Sequence, residues 1–205
     1  MKKQHLIVTL LAASAFALWM PQGLLRAQGG DEMIVRRVAD HVIEQTTYAL
    51  VDESTGEHYH ETSPGQVSPS IRIESQYNYW QYPNGVIHLA MQEMYDHFGD
   101  ERYRDFPAKN YAFFFRHLDF LERMYDAGHH GWDFHLFFRR FKLDDCGALA
   151  AGMIDVYEKD PRPEYLAYIR MAENMAMEDR CLLPDSTWAK RNRSEERRVG
   201  KECAT

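Results

Sequence analysis

The sequence predicts an all-α protein built from a repeated helical hairpin. Three observations carry this expectation. Apolar residues recur at helical spacing through the middle of the chain, the periodic segments pair across breaks marked by Gly, Asp and Pro, and the two pairs share identical residues in one register. With 205 residues, 45% of them apolar and 13% aromatic, the chain is long enough for one domain with a sizeable core and too apolar for disorder.

The chain opens on Met1, Lys2 and Lys3, followed by an uncharged apolar run from Leu6 to Met20, then Pro21 and a small residue at Ala27. This is the pattern of a secretory signal peptide over residues 1–27, with an uncleaved anchor as the alternative. The mature protein is therefore expected to be exported, either periplasmic or secreted, and to have no membrane partner after cleavage. Residues 28–74 form an N-terminal segment ahead of the repeat.

In the first hairpin, Gly85 to Phe98 places Ile87, Ala90, Met91, Met94 and Phe98 on one stripe, with His88, Gln92, Glu93 and Asp96 elsewhere. Gly99 suits the C-terminal cap and Asp100 the next start. A longer helix from about Pro107 to Tyr125 then buries Tyr111, Phe114, Phe115, Leu118 and Leu121. In the second hairpin, Gly147 to Tyr157 is helical in pattern, Asp160 and Pro161 break it, and another helix runs from about Pro163 to Met177. Gly85 matches Gly147, Met91 matches Met153, Tyr95 matches Tyr157 and Tyr103 matches Tyr165, each pair 62 residues apart. Such a unit cannot bury both faces alone, so neighbours must stack on it in an open solenoid or a closed ring. The long connection from Asp126 to Leu143 favours a ring whose loops shape a pocket.

Charge and cysteine content exclude several partners. Twenty-four basic against 31 acidic residues give a formal charge of −7, so no global basic field exists to hold nucleic acid or an anionic membrane. Cys146, Cys181 and Cys203 lack the close spacing of a zinc site, and no metal is expected. Export permits a disulfide between Cys146 and Cys181 without requiring one. From Arg193 to Cys203 the chain reads RSEERRVGKEC, losing its periodicity and resembling one reading frame of a common sequencing-library adapter. Residues 193–205 are accordingly expected to be a non-native tail, with the natural protein continuing beyond Asn192.

Two segments preceding equivalent helices, YNYWQYPNG (77–85) and FKLDDCG (141–147), carry candidate chemistry. Trp80 and Tyr82 offer flat faces with polar edges that stack on sugar rings. Asp144 and Asp145 stand at a helix start, where one carboxylate serves as a cap and the second is available for proton transfer or for a sugar hydroxyl. For the aromatics, ordinary core packing is the competing reading. The linker between the hairpins holds His129, His130, Trp132, Asp133, His135, Arg139 and Arg140, a mixture suited to an acidic sugar; the arginines are available for a uronate carboxylate, with plain solvent exposure as the more frequent alternative. His129-His130 invites a metal reading that their divergent directions disfavour.

These residues resemble a known family. WQYPNGVIHLAMQEMYDHFGDERY (80–103) and LDDCGALAAGMIDVY (143–157) are similar to the opening hairpins of the unsaturated rhamnogalacturonyl hydrolases of glycoside hydrolase family 105, close relatives of the unsaturated glucuronyl hydrolases of family 88. RCLLPDSTWAK (180–190) resembles the segment that follows, so the resemblance covers about residues 75–192. It implies an (α/α)6 barrel, partial in this chain, acting on oligosaccharides that end in an unsaturated uronic acid. An aspartic acid protonates the C4=C5 double bond, water adds at C5, and the resulting hemiketal opens; no metal or organic cofactor is implied. The LDDCG motif supplies the first of two important aspartates, Asp145 or alternatively Asp144. The aromatic position maps to Tyr82 or, as the second choice, Trp80. His135 and Arg139, taken from the linker mixture rather than from the resemblance, are the further expected substrate contacts. The second aspartate is expected on a later hairpin, and the chain as it stands is expected to be inactive. Competing readings are another helical-toroid sugar enzyme, such as an epimerase or lyase, and a non-catalytic exported glycan-binding protein.

Overall fold

The structure, a computed structural model, describes residues 22–139, 143–177, 181–182 and 188–189. The chain divides into two compact units, 1–44 and 45–205. In the first, α1 spans Gln22–Glu44, beginning inside the expected leader and running past Ala27. The apolar run Leu6–Met20 lies outside the described residues, as do residues 193–205. Among the described residues no helix is long and apolar enough to cross a membrane.

The second unit opens with a small antiparallel sheet that the helical expectation did not include. Strands β1 (Leu50–Asp52), β2 (Glu57–Tyr59) and β3 (Ile71–Ile73) lie in the order β2-β1-β3. Leu50 is paired with Tyr59 on one side and Ile73 on the other. The β1–β2 turn closes on Asp52, whose carboxylate accepts from the Ser54 N–H at 2.9 Å and the Ser70 hydroxyl at 2.7 Å. Gly56 supplies the left-handed residue at φ 75°. One face of the sheet is apolar: Leu50, Ile71 and Ile73 are buried and belong to the same core as the helices.

Helices follow in two hairpins. The first joins α2 (Tyr82–Phe98) to α3 (Glu101–Arg116), continued by α4 (Leu118–Asp126). Gly99 caps α2 at φ 70°, its N–H donating to the Tyr95 carbonyl, and Asp100 starts α3 by accepting from the Arg102 N–H. The single helix expected from Pro107 to Tyr125 is instead two, with Pro107 inside α3 and a break at His117. That break has a local cause. His117 is fully buried, its Nδ1 bonded to the Ser63 hydroxyl at 2.8 Å and its Nε2 to the His60 carbonyl at 3.1 Å, so the ring is anchored to the loop after β2. After the short α5 (His135–Phe138), the second hairpin consists of α6 (Leu143–Lys159) and α7 (Pro163–Met177), separated at Asp160 and Pro161 as expected. A last two-stranded pair, β4 (Cys181–Leu182) and β5 (Trp188–Ala189), is antiparallel.

The repeat register is visible in the packing. Met91 and Met153 are both buried, as are Tyr103 and Tyr165, while Tyr95 and Tyr157 are both half-buried. The first helices of the two hairpins, α2 and α6, make the most extensive helix–helix contact. They run side by side in the same direction: Gly85 lies against Ala148 and Leu149, and Gln92, further along, against Gly152. A Cβ on Gly85 would stand 2.5 Å from the Ala148 carbonyl carbon and 2.6 Å from the Leu149 nitrogen.

The buried face of α2 differs from the one its apolar spacing suggests. Asn84, Gly85, His88, Met91 and Gln92 are buried, whereas Ala90 is exposed and Ile87 half-buried. Polar residues occupy this face because α6 approaches too closely for large apolar side chains and presents backbone carbonyls instead. Gln92 Nε2 donates to the Gly152 carbonyl at 2.8 Å. The Tyr111 hydroxyl donates to the Leu149 carbonyl at 2.8 Å, so it must accept from His88, whose Nδ1 lies 2.8 Å away. His88 is thereby fixed as the neutral Nδ1–H tautomer.

Two outcomes follow from this helix pair. Gly85→Ala is expected to cost about 1–3 kcal/mol, because the new methyl meets backbone and the clash outweighs the gain in helix propensity. Gly65→Ala, with no atom within 4 Å of the added Cβ, serves as the neutral comparison in chemical denaturation. Burial lowers the His88 pKa from 6.5 to about 3. The unfolded chain therefore takes up a proton that the fold refuses, and this contribution to stability, full above about pH 6.5, is lost progressively as the pH falls toward 3. The drop in Tm between neutral and acid pH is expected to shrink in His88→Asn, which keeps a donor for Tyr111; an unchanged drop would refute the assignment.

Candidate functional site

Parallel packing of α2 and α6 puts their N-termini at the same end of the molecule. Residues leading into α2 are held there by their own polar atoms. The Asn84 side chain turns back to donate to the Gln76 and Tyr79 carbonyls at 2.9 and 2.7 Å. Trp80 N–H donates to the Asp133 carbonyl at 2.7 Å, and Gln81 Nε2 donates to the Trp132 carbonyl at 2.6 Å. Gln81 occupies the N-cap position of α2 yet makes no side-chain cap bond. The Tyr82 N–H instead donates to Asp145 Oδ1 at 3.3 Å, so a carboxylate from the first turn of α6 caps the neighbouring helix.

This geometry separates the two adjacent aspartates. Asp145 is buried, 5% exposed, at the junction of both helix starts, whereas Asp144 is exposed to solvent. Successive residues on a helix are rotated by about 100°, so only one of the pair can face the neighbouring helix. Tyr82 is 49% exposed beside this junction, with its backbone on Asp145 and its ring accessible.

Trp80 requires a correction. Its ring is 2% exposed and ringed by Tyr111, Phe114, Phe115, Phe137 and Tyr168, and its Nε1 donates to the Tyr168 hydroxyl at 2.9 Å. No face is left for a sugar, and the residue is the aromatic centre of the core. His135 is also inward, 7% exposed, with Nδ1 bonded to the Gly131 carbonyl at 2.9 Å and its ring edge-on to Trp132. It supports the loop. Arg139, the C-cap of α5, is exposed, and Arg140 lies outside the described residues.

The inter-hairpin linker, read from sequence as one mixed group, is split by the fold. His129, His130, Trp132 and Asp133 line a cavity of about 370 Å³ together with Pro69, Arg72 and Tyr79, which no sequence pattern joins to them. Asp133 ties this loop to the sheet: its Oδ2 accepts from the Ile73 N–H at 2.7 Å while its carbonyl accepts from Trp80. Burial pushes its carboxyl above the ordinary range, opposed by the Ile73 bond and by the Arg72 charge.

Residues 60–198 match the family model of Glycosyl Hydrolase Family 88. The chain belongs to this family of glycosidases, whose substrates are carbohydrates, and its two described hairpins fit an all-α helical toroid. No curated protein matches the chain.

Asp133→Ala is expected to cost about 1–3 kcal/mol, since it removes the acceptor for a buried N–H. Its local signature is loss of hydrogen-exchange protection at the Ile73 amide, and retained protection would show that the bond does not hold the loop.

Proposed function

We propose that this chain belongs to a hydrolase acting on oligosaccharides that end in an unsaturated uronyl residue, by hydration of the C4=C5 double bond. The observation that carries the reading is Asp145, a buried carboxylate at the meeting point of two parallel helix starts, in a chain of glycosyl hydrolase family 88 and within the LDDCG motif that resembles the unsaturated uronyl hydrolases.

On this reading a proton is delivered to C4 while a water oxygen bonds to C5 and surrenders its own proton to a base. The C5 hydroxyl so formed makes a hemiketal. Its opening breaks the ring C5–O bond to leave a carbonyl at C5 and a hemiacetal at C1, and collapse of that hemiacetal to a C1 aldehyde breaks the bond to the leaving sugar and frees it as an alcohol. Atoms balance with one water consumed, and the chemistry differs from the paired carboxylates that flank a glycosidic bond in other glycosidases. Asp145 is the candidate for holding the reacting ring or its water. The accessible ring of Tyr82 is the candidate stacking surface beside it. Trp80 and His135 act behind this surface, through packing and loop support. Arg139, exposed at the end of α5, is the candidate partner for the uronate carboxylate.

The test is ultraviolet loss of the C4=C5 chromophore, measured with the protein against unsaturated rhamnogalacturonan and glucuronyl substrates. Asp145→Asn is expected to lower kcat by about 10²–10⁴-fold, and Asp144→Asn by less than about tenfold. Absorbance that stays unchanged with every substrate would overturn the reading.

A further inference from the structure

The cavity beside Trp132 has no part in the proposed hydration. It is enclosed by three stretches remote in sequence: Pro69 and Arg72 from the end of the sheet, Tyr79 from the approach to α2, and residues 128–133 of the linker. Its volume of about 370 Å³ falls in the ordinary range for small-molecule sites, roughly 300–1,000 Å³.

Three of its groups are prepared for a ligand. Trp132 is 75% exposed, the most exposed large apolar side chain among the described residues. Its position is nonetheless fixed: its carbonyl is held by Gln81, the adjoining Asp133 is held by Ile73 and Trp80, and His135 lies edge-on to its ring at 5.2 Å and 88°. An indole kept in place while open to solvent is a platform whose ordering cost is met before any ligand arrives. The Arg72 guanidinium makes one bond, a 3.4 Å contact with the Ile71 carbonyl, and forms no ion pair among the described residues. The half-buried Tyr79 hydroxyl likewise has no hydrogen-bond partner among the described residues. A flat apolar face, a planar fork of donors and a phenol around one cavity match a pyranose, which offers an apolar C–H face and a rim of hydroxyls.

The charge of the ligand also follows from the surroundings. Arg72 is the one cationic side chain of fixed charge lining the cavity, and the fields acting on the Tyr79 hydroxyl come from Asp133, Arg72 and Glu53. Asp133 thus lines the cavity together with the one guanidinium, and the charge of Glu53 also reaches the Tyr79 hydroxyl. An added uronate would meet more repulsion than attraction, while hydroxyls can both accept from Arg72 and exchange hydrogen bonds with Tyr79. The linker mixture that suggests an acidic sugar when read from sequence is, once folded around Asp133, better suited to a neutral one.

We infer that this cavity is a subsite for an uncharged pyranose ring, separate from the Asp145 junction and holding a non-reacting sugar of the oligosaccharide. The inference rests on the carbohydrate-hydrolase reading above but not on its chemistry, because a saturated sugar can occupy the cavity without reacting.

Saturation-transfer NMR on the full chain tests it, with methyl glucoside and methyl galactoside as neutral probes and glucuronate as the charged one. At least one neutral glycoside is expected to receive saturation and to bind more tightly than glucuronate. Trp132→Ala is expected to weaken that binding about tenfold, and Arg72→Gln by a similar factor, with circular dichroism confirming that each variant is folded. Should Arg72→Gln fail to fold, Trp132→Ala decides, since its exposed ring contributes little to the core. Binding that survives Trp132→Ala in folded protein, tighter binding of glucuronate, or no transfer to either neutral glycoside would each overturn the subsite. None of these results bears on loss of the C4=C5 chromophore, so the two readings fail separately.

Discussion

The close approach of α2 and α6 at Gly85 is the constraint on which the rest of the arrangement depends. With a Cβ there, the backbones would collide at 2.5 Å, so the spacing requires glycine. Gly152 repeats the condition one to two turns along α6, where an added Cβ would stand 2.8 Å from the Tyr111 hydroxyl and 3.0 Å from His88 Cβ. Two glycines on one seam allow parallel helices to lie nearly in backbone contact. Their starts then come within reach of each other, and a single carboxylate spans both.

Such tight packing makes the interface polar. At ordinary helix spacing, leucines would fill the seam, but here the space between the axes admits short reaches to backbone carbonyls. Gln92 and Tyr111 make them, with His88 donating to the Tyr111 hydroxyl behind, and these buried bonds fix the relative slide of the helices more sharply than apolar contact would. The cost is incomplete satisfaction: His88 Nε2 and Gln92 Oε1 are buried with no hydrogen-bond partner among the described residues. A neutral histidine carries that cost more cheaply than a cation could, which explains why burial drives its pKa so low.

Much of this was legible in the sequence, and the gaps have physical causes. Hairpin boundaries were readable because Gly99, Asp100, Asp160 and Pro161 are strong local punctuation, and the register because matched positions keep the same residue and the same degree of burial in each copy. The buried face of α2 was misread because periodicity assumes an apolar interface, whereas glycine-mediated contact replaces it with hydrogen bonds. The sheet escaped notice since its three-residue strands are too short to display alternation. Trp80 was ambiguous for another reason: a residue before a helix start can face the ligand or the core, and only the ring of aromatics from α3, α5 and α7 decides it. The cavity beside Trp132 was unreadable in principle, since Arg72 and Tyr79 join the linker through β3 and the Asp133 bond rather than through any sequence pattern.

For the paired aspartates, sequence reasoning set helix capping against chemistry as if one excluded the other. Asp145 shows why they need not compete. Its Oδ1 is directed by the Tyr82 N–H at the positive end of α2, while its own backbone belongs to the first turn of α6. A carboxylate held in this way is oriented before any substrate binds, which is the preorganisation that the proposed role calls for. On the proposed reading the cap is part of the site: the same bond that closes α2 aims the carboxylate, and the glycine contact at Gly85 sets the distance over which it can do so. Parallel helix starts that come this close can thus hold a carboxylate in place without a dedicated supporting loop.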